Sequence, residues 1–277
     1  MTKIYHKAPL PFAGQKRMFL KVFRTVLDNI PNDGEGWTIV DVFGGSGLLA
    51  HTAKTHKPKA TVIYNDFDGY AERLKHIDDI NRLRHLIFDK TKYLPRNQKM
   101  DKDFALEVIK IIELFDGYID MRCVSSWLLF SGKHANSIDE LKKHTLYNTV
   151  RTKDYESADG YLTDIIITSQ SFDELIPQYQ NKANVILLLD PPYICTDQKS
   201  YKMDKYFGMV EFLTLMTMVK PPYVFFSSTK SELLDYLEYV KQYEPHTWQR
   251  IGDFEKLSFN SSVNYHATYE DNMIYKF

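Results

Sequence analysis

The chain has 277 residues, of which 44% are hydrophobic and 26% are charged, and its formal net charge is −1. This length and composition are typical of a soluble α/β protein, with one large domain or a domain plus an insertion, and they argue against disorder. The near-neutral charge excludes a uniformly cationic binder, so a nucleic-acid partner would have to meet a local basic patch.

Cysteine usage and hydropathy indicate the compartment. Cys123 and Cys195 are the only cysteines, and their spacing is not that of a metal site or a disulfide framework. Residues 1–10 contain no apolar signal segment, and no stretch of the sequence is long enough to span a bilayer. We therefore predict a cytoplasmic protein with no metal and no membrane partner.

A helix is predicted close to the N-terminus. Residues 7–12 are punctuated by proline and should be extended, whereas residues 15–29 carry apolar side chains at helical spacing up to Pro31. Because the helix follows Ala13-Gly14-Gln15-Lys16, its first N–H groups and Lys16 could hold an anion. An ordinary N-cap followed by a surface lysine explains the same residues equally well.

A strand, a glycine-rich loop and a helix come next. Residues 37–42 are predicted to form a buried strand, which runs into Phe43-Gly44-Gly45-Ser46-Gly47 and then into a helix from Leu48. Glycines let the backbone adopt positive φ and approach a ligand closely. This order of elements is the entry unit of a doubly wound α/β fold.

A second strand is predicted over residues 61–64 and ends in Asn65-Asp66-Phe67-Asp68. An acid at this place can accept both hydroxyls of a ribose, although Asp66 alone is also explained as a helix N-cap. The loop and Asp66 together fit a loose dinucleotide fingerprint as well, so a nicotinamide-linked enzyme is an alternative. A P-loop is excluded because no Gly-Lys-Ser/Thr follows the glycines. Residues 69–88 are predicted to continue as one amphipathic helix.

The middle of the chain lacks a parallel α/β rhythm, and residues 85–160 are therefore predicted to be an inserted subdomain between two parts of the main domain, residues 1–84 and 161–277. Helices are predicted over 104–115 and 137–144. Cations and planar side chains of the kind that contact nucleic acid are frequent here. They include Arg122, Lys133, Lys142, Lys143, Arg151, Lys153, Tyr147, Asn148 and Tyr155. A solvated protein face explains any one of these cations equally simply.

The most informative stretch is Asp190-Pro191-Pro192-Tyr193, directly after the aliphatic run 185–189. Such a run predicts a buried central strand, whose carboxyl end is where α/β folds bind ligands. Two prolines remove backbone donors, so the sequence predicts an acceptor-only recess beside Tyr193 that suits an aminated planar group such as a nucleobase. A plain turn is the simpler alternative.

The other elements of this half are predicted from the same patterns. Strands are expected over 164–168 and 222–227, and helices from Asp173, over 209–219 and over 231–239. Ser171-Phe172 could close on a bound adenine, although a core phenylalanine is commoner. Residues 194–206 suit a mobile loop over the site. Residues 248–251 and 272–277 are predicted to be strands, as an antiparallel hairpin at the sheet edge.

Five motifs in this order resemble the Dam-type, or class alpha, DNA adenine-N6 methyltransferases, which include phage-encoded members. They are Phe12-Ala13-Gly14-Gln15-Lys16, Asp41-Val42-Phe43-Gly44-Gly45-Ser46-Gly47, Asn65-Asp66-Phe67-Asp68, Ser171-Phe172 and Asp190-Pro191-Pro192-Tyr193. The family has Gly-Gly-Lys where this chain has Gly14-Gln15-Lys16. The resemblance implies a doubly wound, Rossmann-like class I methyltransferase sheet with an inserted, mainly helical target-recognition subdomain.

The resemblance also implies a function and roles for residues. A methyl group would pass from S-adenosyl-L-methionine (AdoMet) to N6 of an adenine flipped out of double-stranded DNA, at a GATC-like site, as part of restriction and modification. The catalytic residues would be Asp190, Pro191, Pro192 and Tyr193. AdoMet would contact Phe12, Gly14, Gln15, Lys16, Asp41, Phe43, Gly44, Gly45, Ser46, Gly47, Asp66, Phe67, Ser171 and Phe172, and DNA would contact Arg122, Lys133, Asn148, Arg151 and Lys153.

Alternatives from other classes stay open. The same exocyclic amine chemistry could act on cytosine N4 or on an RNA adenine, and the chain could be a catalytically idle DNA-binding or anti-restriction module. The expected assembly is a monomer or a weak dimer.

Overall fold

A computed structural model describes residues 3–130, 132–194, 207–229, 231–264 and 267–277. The chain forms two compact units. The first contains Met1–Lys7, Gly14–Tyr70 and Gly160–Phe277, and the second contains Ala8–Ala13 and Ala71–Asp159. Within the described residues, no helix is both long and apolar enough to cross a bilayer.

A seven-stranded sheet organises the first unit, with the strand order β3-β2-β1-β4-β5-β7-β6. The strands are β1 (Thr38–Asp41), β2 (Thr61–Asn65), β3 (Ile165–Thr168), β4 (Val185–Leu189), β5 (Tyr223–Ser228), β6 (Glu255–Asn264) and β7 (Ala267–Lys276). The first five strands in the spatial order are parallel, and β7 runs antiparallel to both β5 and β6. The doubly wound sheet predicted from the sequence is confirmed.

Within the described residues, the first unit has α1 (Leu20–Leu27) before β1, and it has α2 (Leu48–His56), α8 (Phe172–Leu175), α9 (Met209–Met218), α10 (Leu233–Tyr243) and α11 (Pro245–Ile251) between strands. All five residues of β4 are buried, and Val185, Leu187 and Leu189 share a core with apolar residues of α9 and α10. An uninterrupted aliphatic strand is stable at the centre of a sheet because both of its faces are covered.

The predicted strand over 248–251 is wrong, because these residues lie in α11. Pro245 is the first residue of that helix, where its fixed φ and missing N–H are tolerated. Trp248 and Ile251 are three residues apart, so both can turn toward the core from one side of the helix. The sheet-edge hairpin that the sequence predicted exists, but its first strand is β6.

The second unit is helical in the residues described, with α3 (Tyr70–Lys75, of which Tyr70 belongs to the first unit), α4 (Ile77–Thr91), α5 (Lys102–Glu113), α6 (Met121–Leu128) and α7 (Ile138–Leu141). The predicted single helix over 69–88 is interrupted at His76, whose φ of −107° and ψ of 19° are not helical. The buried guanidinium of Arg73 donates two hydrogen bonds to the buried carboxylate of Asp120, at 2.6 and 3.2 Å. This ion pair fixes α3 against the start of α6.

Candidate active site

Two acidic residues follow the central strands of the first unit. β1 and β4 are neighbours, with Asp41 paired in register with Leu188. The strand order reverses between them, since β2 continues on one side and β5 on the other. Ligands of doubly wound sheets bind in the crevice at the carboxyl ends of the strands at such a point. Asp41 ends β1 and Asp190 comes directly after β4, so both lie at this crevice.

Lys16 contacts the stretch after β4. Its Nζ lies 2.8 Å from Oδ2 of Asp190, donates to the Gly14 carbonyl at 3.1 Å and lies 5.7 Å from the centre of the Tyr193 ring. Lys16 thus pairs with the Asp190 carboxylate, and the contact with AdoMet predicted for Lys16 stays a prediction. The prediction of an acceptor-only recess is corrected, because an ammonium group occupies part of it.

Burial and charge perturb both acids in the crevice. Burial raises the pKa of Asp190, and the positive charge and hydrogen bond of Lys16 oppose that rise. Burial also raises the pKa of Asp41 to about 8, and the negative charge of Asp190 adds to the rise. Oδ2 of Asp41 accepts from the Ala50 N–H at 3.2 Å, whereas its buried Oδ1 has no hydrogen-bond partner among the described residues.

The glycine loop lies against the side chain of Tyr64. A Cβ on Gly44 would come within 2.3 Å of the Tyr64 ring, so this position admits only glycine without a shift. Gly47 has a φ of 70° and is the N-cap of α2. The Tyr64 hydroxyl lies 2.8 Å from the Gly45 carbonyl oxygen and 2.9 Å from Oδ1 of Asp66, and it can donate its single proton to either one. Tyr64 therefore joins the loop to the acid after β2.

Asp66 also holds the backbone that follows it. Its Oδ1 accepts from the Tyr70 N–H at 2.6 Å, at the beginning of α3, and the residue is 7% exposed. The carboxylate thus satisfies the first backbone N–H of α3, although Asp66 lies four residues before Tyr70 and is not the N-cap residue itself. The ribose contact predicted for Asp66 stays a prediction. Phe67, the next residue, is 46% exposed.

Three aromatic rings meet near the glycine loop. The ring centres of Phe43, Phe172 and Phe207 lie 5.8 to 5.9 Å apart in each pair. Phe207 is buried, whereas Phe43, Phe172 and the neighbouring Ser171 are partly exposed. An apolar aromatic wall of this kind suits the planar base of a nucleotide cofactor. The predicted adenine contacts of Ser171 and Phe172 stay predictions.

The first-unit residues at the crevice fit AdoMet. Oδ1 of Asp41, buried and without a hydrogen-bond partner in the described part of the chain, can accept from a positively charged amine, whose charge would oppose the raised pKa of this carboxyl group. Gly44, Gly45 and Gly47 allow close approach of a ligand to the backbone. Gln15 is partly exposed, and the Ser46 carbonyl is taken by the Tyr161 hydroxyl at 2.9 Å.

Three residues that organise the site were missed by the sequence analysis: Tyr64, Tyr161 and Phe207. Each is an aromatic residue, for which a core role is the usual expectation. A tyrosine in the strand after a glycine loop is too common to be a signal by itself. The mobile loop predicted over residues 194–206 falls, from residue 195, outside the described residues.

The residues predicted to contact DNA lie in the second unit and differ in their surroundings. Lys133 and Lys153 are exposed. The Arg122 guanidinium lies 5.2 Å from the centre of the Phe12 ring, in the same unit. Arg151 donates to the backbone carbonyls of Lys153 and Asp154. These four residues stay candidates for a DNA contact.

Asn148 differs from the other four residues predicted to contact DNA. Its side chain is buried, and its amide nitrogen donates to the Thr91 carbonyl at 3.1 Å and to the Leu94 carbonyl at 2.6 Å. The amide donors that would have read a base therefore hold the backbone after α4. Among the described residues, no group of three or more His, Cys, Asp or Glu side chains could hold a metal ion.

Comparison with known proteins gives three findings. A family model described as D12 class N6 adenine-specific DNA methyltransferase matches residues 12–211. A Haemophilus influenzae protein that carries a provisional methyltransferase name is 54% identical over 277 residues, which cover 99% of this chain and 94% of that protein. The precorrin-6y C5,15-methyltransferase of Geobacter metallireducens aligns over 100% of both chains with 8% identity and a TM-score of 0.39. A structural likeness that weak supports no inference about this chain.

Proposed function

Since the chain belongs to the D12 class N6 adenine-specific DNA methyltransferase family, we propose that it moves a methyl group from AdoMet to N6 of an adenine flipped out of double-stranded DNA. The proposal specifies the cofactor, the flipped base and the residues that act on them. The observation that carries it is the place of Asp190, directly after the buried strand β4 and beside the glycine loop that follows β1.

Asp190 and the Pro191 carbonyl accept the two N–H bonds of the target amine in this mechanism. The amino lone pair of adenine is delocalised into the ring, so the free amine is a poor nucleophile. Two acceptors beside the nitrogen favour a geometry in which the lone pair is available for attack. Pro191 and Pro192 have no N–H of their own, which leaves no competing backbone donor at these positions.

The first-unit residues that would hold AdoMet are those that follow β1 and β2. Asp41 would meet its ammonium group, the backbone of Gly45 to Gly47 would follow its chain, and Asp66 would accept its ribose hydroxyls. The cofactor supplies an electrophilic methyl group on a sulfonium. Methyl transfer from the sulfonium to the amine would leave a neutral thioether, and the amine nitrogen would lose one proton. Asp190, which would accept a hydrogen bond from the amine, would receive that proton.

Base flipping follows from the position of the acceptors. N6 of a paired adenine lies inside the duplex, and a side chain at the end of a buried strand cannot reach it there. Extrusion of the base costs a few kcal/mol, which contacts in the recess must offset. Tyr193, partly exposed beside Asp190, offers a ring on which the extruded base can stack.

The insertion is proposed to select the sequence. Residues 85–160 would carry target recognition for a GATC-like site, as in the Dam-type enzymes that the motifs resemble. The duplex DNA substrate would then contact the second unit, while the first unit would carry out methyl transfer.

A single experiment tests reaction, base and site. Duplex DNA is incubated with the protein and AdoMet, and N6-methyladenine is mapped by modification-sensitive sequencing. Methylation at one short motif supports the proposal, and its sequence tests the GATC-like expectation. Methyl groups on cytosine, or on RNA alone, would refute it. An idle DNA-binding module would give no product and no thermal shift with AdoMet.

A further inference from the structure

A cavity of about 410 Å³ lies within the second unit, and three cations border it: Arg96, Arg151 and Lys153. Arg96 and Lys153 are exposed, and Arg151 is partly buried. None of the described residues that line this cavity carries a carboxylate. Three positive charges around one opening attract anions, and an arginine can bind a phosphate with two N–H groups.

The acid nearest in sequence does not cancel this charge. Oδ1 of Asp154 accepts hydrogen bonds from Arg84, and it lies 2.8 Å from Nε2 of His85. Arg84, which is 2% exposed, also donates to the Arg151 carbonyl at 3.1 Å. Asp154 is therefore committed to a buried guanidinium on α4, and the three cations at the cavity retain their net positive charge.

The loop that carries Arg151 is held in place before any ligand binds. Arg151 Nε donates to the Lys153 carbonyl at 2.5 Å, and a terminal nitrogen donates to the Asp154 carbonyl at 3.0 Å. The guanidinium lies 3.8 Å from the centre of the Tyr155 ring. Tyr155 is fixed in turn, since its hydroxyl accepts from Trp127 Nε1 at 3.1 Å. A cation held in this way loses little entropy on binding.

The aromatic residues of the cavity favour a phosphate over a base. Tyr155 is 6% exposed and Trp127 is 2% exposed, so neither ring offers a free face on which a nucleobase could stack. Helix α6 ends beside the cavity, and backbone carbonyls without donors at the end of a helix would repel an anion. Two carbonyls at this end do have donors, because those of Ser126 and Trp127 accept hydrogen bonds from the hydroxyl and the N–H of Thr149.

We propose that this cavity binds a backbone phosphate of duplex DNA and so positions the second unit on the duplex without reading its sequence. The inference rests on the proposed methylation of DNA, and it adds Arg96 to the residues considered for a DNA contact. Backbone contacts of this type fix register and orientation, while base contacts supply specificity. A free phosphate ion offers the cavity the same chemical group as the DNA backbone, and the experiment distinguishes between these two ligands.

The test is the double variant Arg96→Gln/Lys153→Gln in the full chain. The matched control is Lys102→Gln/Lys110→Gln, which removes the same charge from two exposed lysines on α5 of the same unit. We expect the cavity variant to bind duplexes of any sequence about tenfold more weakly at 0.15 M salt, with a salt dependence of log K shallower by about one to two units. The control variant should keep the duplex affinity, the salt dependence and the kcat of the wild type.

Three outcomes would overturn the inference or separate it from the proposed function. A cavity variant that matches its control in affinity and salt dependence refutes the phosphate contact. If the wild type binds millimolar inorganic phosphate and the cavity variant does not, while both bind duplex DNA equally well, the cavity is a small-anion site. That result also refutes the phosphate contact with DNA. If the cavity variant shows the expected loss of affinity and the shallower salt dependence, but the wild type methylates no duplex, the cavity contact is supported and the proposed reaction is refuted.

Discussion

The Nζ of Lys16 lies 2.8 Å from Oδ2 of Asp190, and the two side chains are only 12% and 18% exposed. An ion pair withdrawn from water is stronger than one at the surface, because the surrounding medium screens it less. The pair joins the residues before α1 to the residues after β4. Lys16 thus sets the charge of the carboxylate that the proposed mechanism uses as an acceptor.

Lys16→Gln should change the pH dependence of methyl transfer. Burial raises the pKa of Asp190, and Lys16 opposes this; without the ammonium, the carboxylate should be protonated at higher pH. A protonated Asp190 cannot accept from the target amine with its full charge. We therefore expect the acid limb of the kcat profile, measured at saturating AdoMet and DNA, to move to higher pH, with a larger loss of activity at pH 6 than at pH 9.

Two further variants make the Lys16 measurement specific. Lys16→Arg keeps a positive charge and should keep the acid limb near that of the wild type. Lys21→Gln removes an exposed lysine from α1 and should leave the profile unchanged. An unchanged acid limb in Lys16→Gln would show that the ion pair does not control the charge of Asp190.

Asp190→Asn should remove catalysis without removing the cofactor. Lys16 would hold the amide oxygen of the variant, so its NH₂ would face the N–H groups of the target amine, and donors cannot accept their hydrogen bonds. We expect kcat to fall by more than about a hundredfold, the scale of losing one preorganised electrostatic contact in a reaction. The AdoMet Kd, from calorimetry, should stay within a few-fold of the wild type. Near-normal turnover in this variant would refute the assigned role of Asp190.

Asp41→Asn should remove a pH-dependent penalty on folding. Burial raises the pKa of Asp41 to about 8 in the folded chain, compared with an ordinary value of 3.8. Below the ordinary value, both states are protonated and the group contributes nothing. As the pH rises toward 8, only the unfolded state ionises, so the free energy of unfolding falls. The asparagine does not titrate, and this loss should be absent from the variant.

The measurement for Asp41 is the difference in Tm between variant and wild type without AdoMet. That difference should become more positive from pH 5 to pH 8.5, whatever its value at pH 5. A comparison by difference cancels the titration of groups that do not interact with Asp41. A difference that stays constant over this range would mean that Asp41 ionises normally in the folded chain.

Tyr64→Phe should weaken AdoMet binding and stability together. It deletes the hydroxyl that joins the Gly45 carbonyl to Asp66, and a buried acceptor left without its donor costs about 1–3 kcal/mol. We expect a lower Tm and an AdoMet Kd raised about tenfold. Tyr223→Phe is the matched control: that hydroxyl is buried with no hydrogen-bond partner among the described residues, so its removal should be neutral or stabilising. Equal effects of the two substitutions would contradict this account.

The sheet could be predicted from the sequence because its strands are local patterns. The aliphatic run over residues 185–189 coincides with β4, and the glycine loop separates β1 from α2 as expected. The error over residues 248–251 has a local cause as well. Trp and Ile favour strands, whereas Pro245 favours the start of a helix, and the helix is what forms.

The site was harder to predict than the fold. The motifs indicate which residues gather at the crevice, but the ion pair of Lys16 with Asp190 depends on side-chain positions that join distant parts of the chain. The contacts of the Tyr64 hydroxyl could not be predicted for the same reason, since no sequence spacing links Tyr64 to both Gly45 and Asp66. Contacts of this type follow from tertiary packing and leave no periodic signal.

Asn148→Ala tests whether a polar residue of the insertion serves structure rather than DNA. Its amide nitrogen donates to the Thr91 and Leu94 carbonyls, and both would lose a donor. We expect a free energy of unfolding lower by about 1–3 kcal/mol and duplex affinity unchanged below the Tm. Asn136→Ala, at an exposed position of the same unit, should leave the free energy of unfolding within about 0.5 kcal/mol of that of the wild type. An Asn148→Ala protein that melts normally but loses duplex binding would restore the DNA contact, because only an amide available to DNA could give that pair of results.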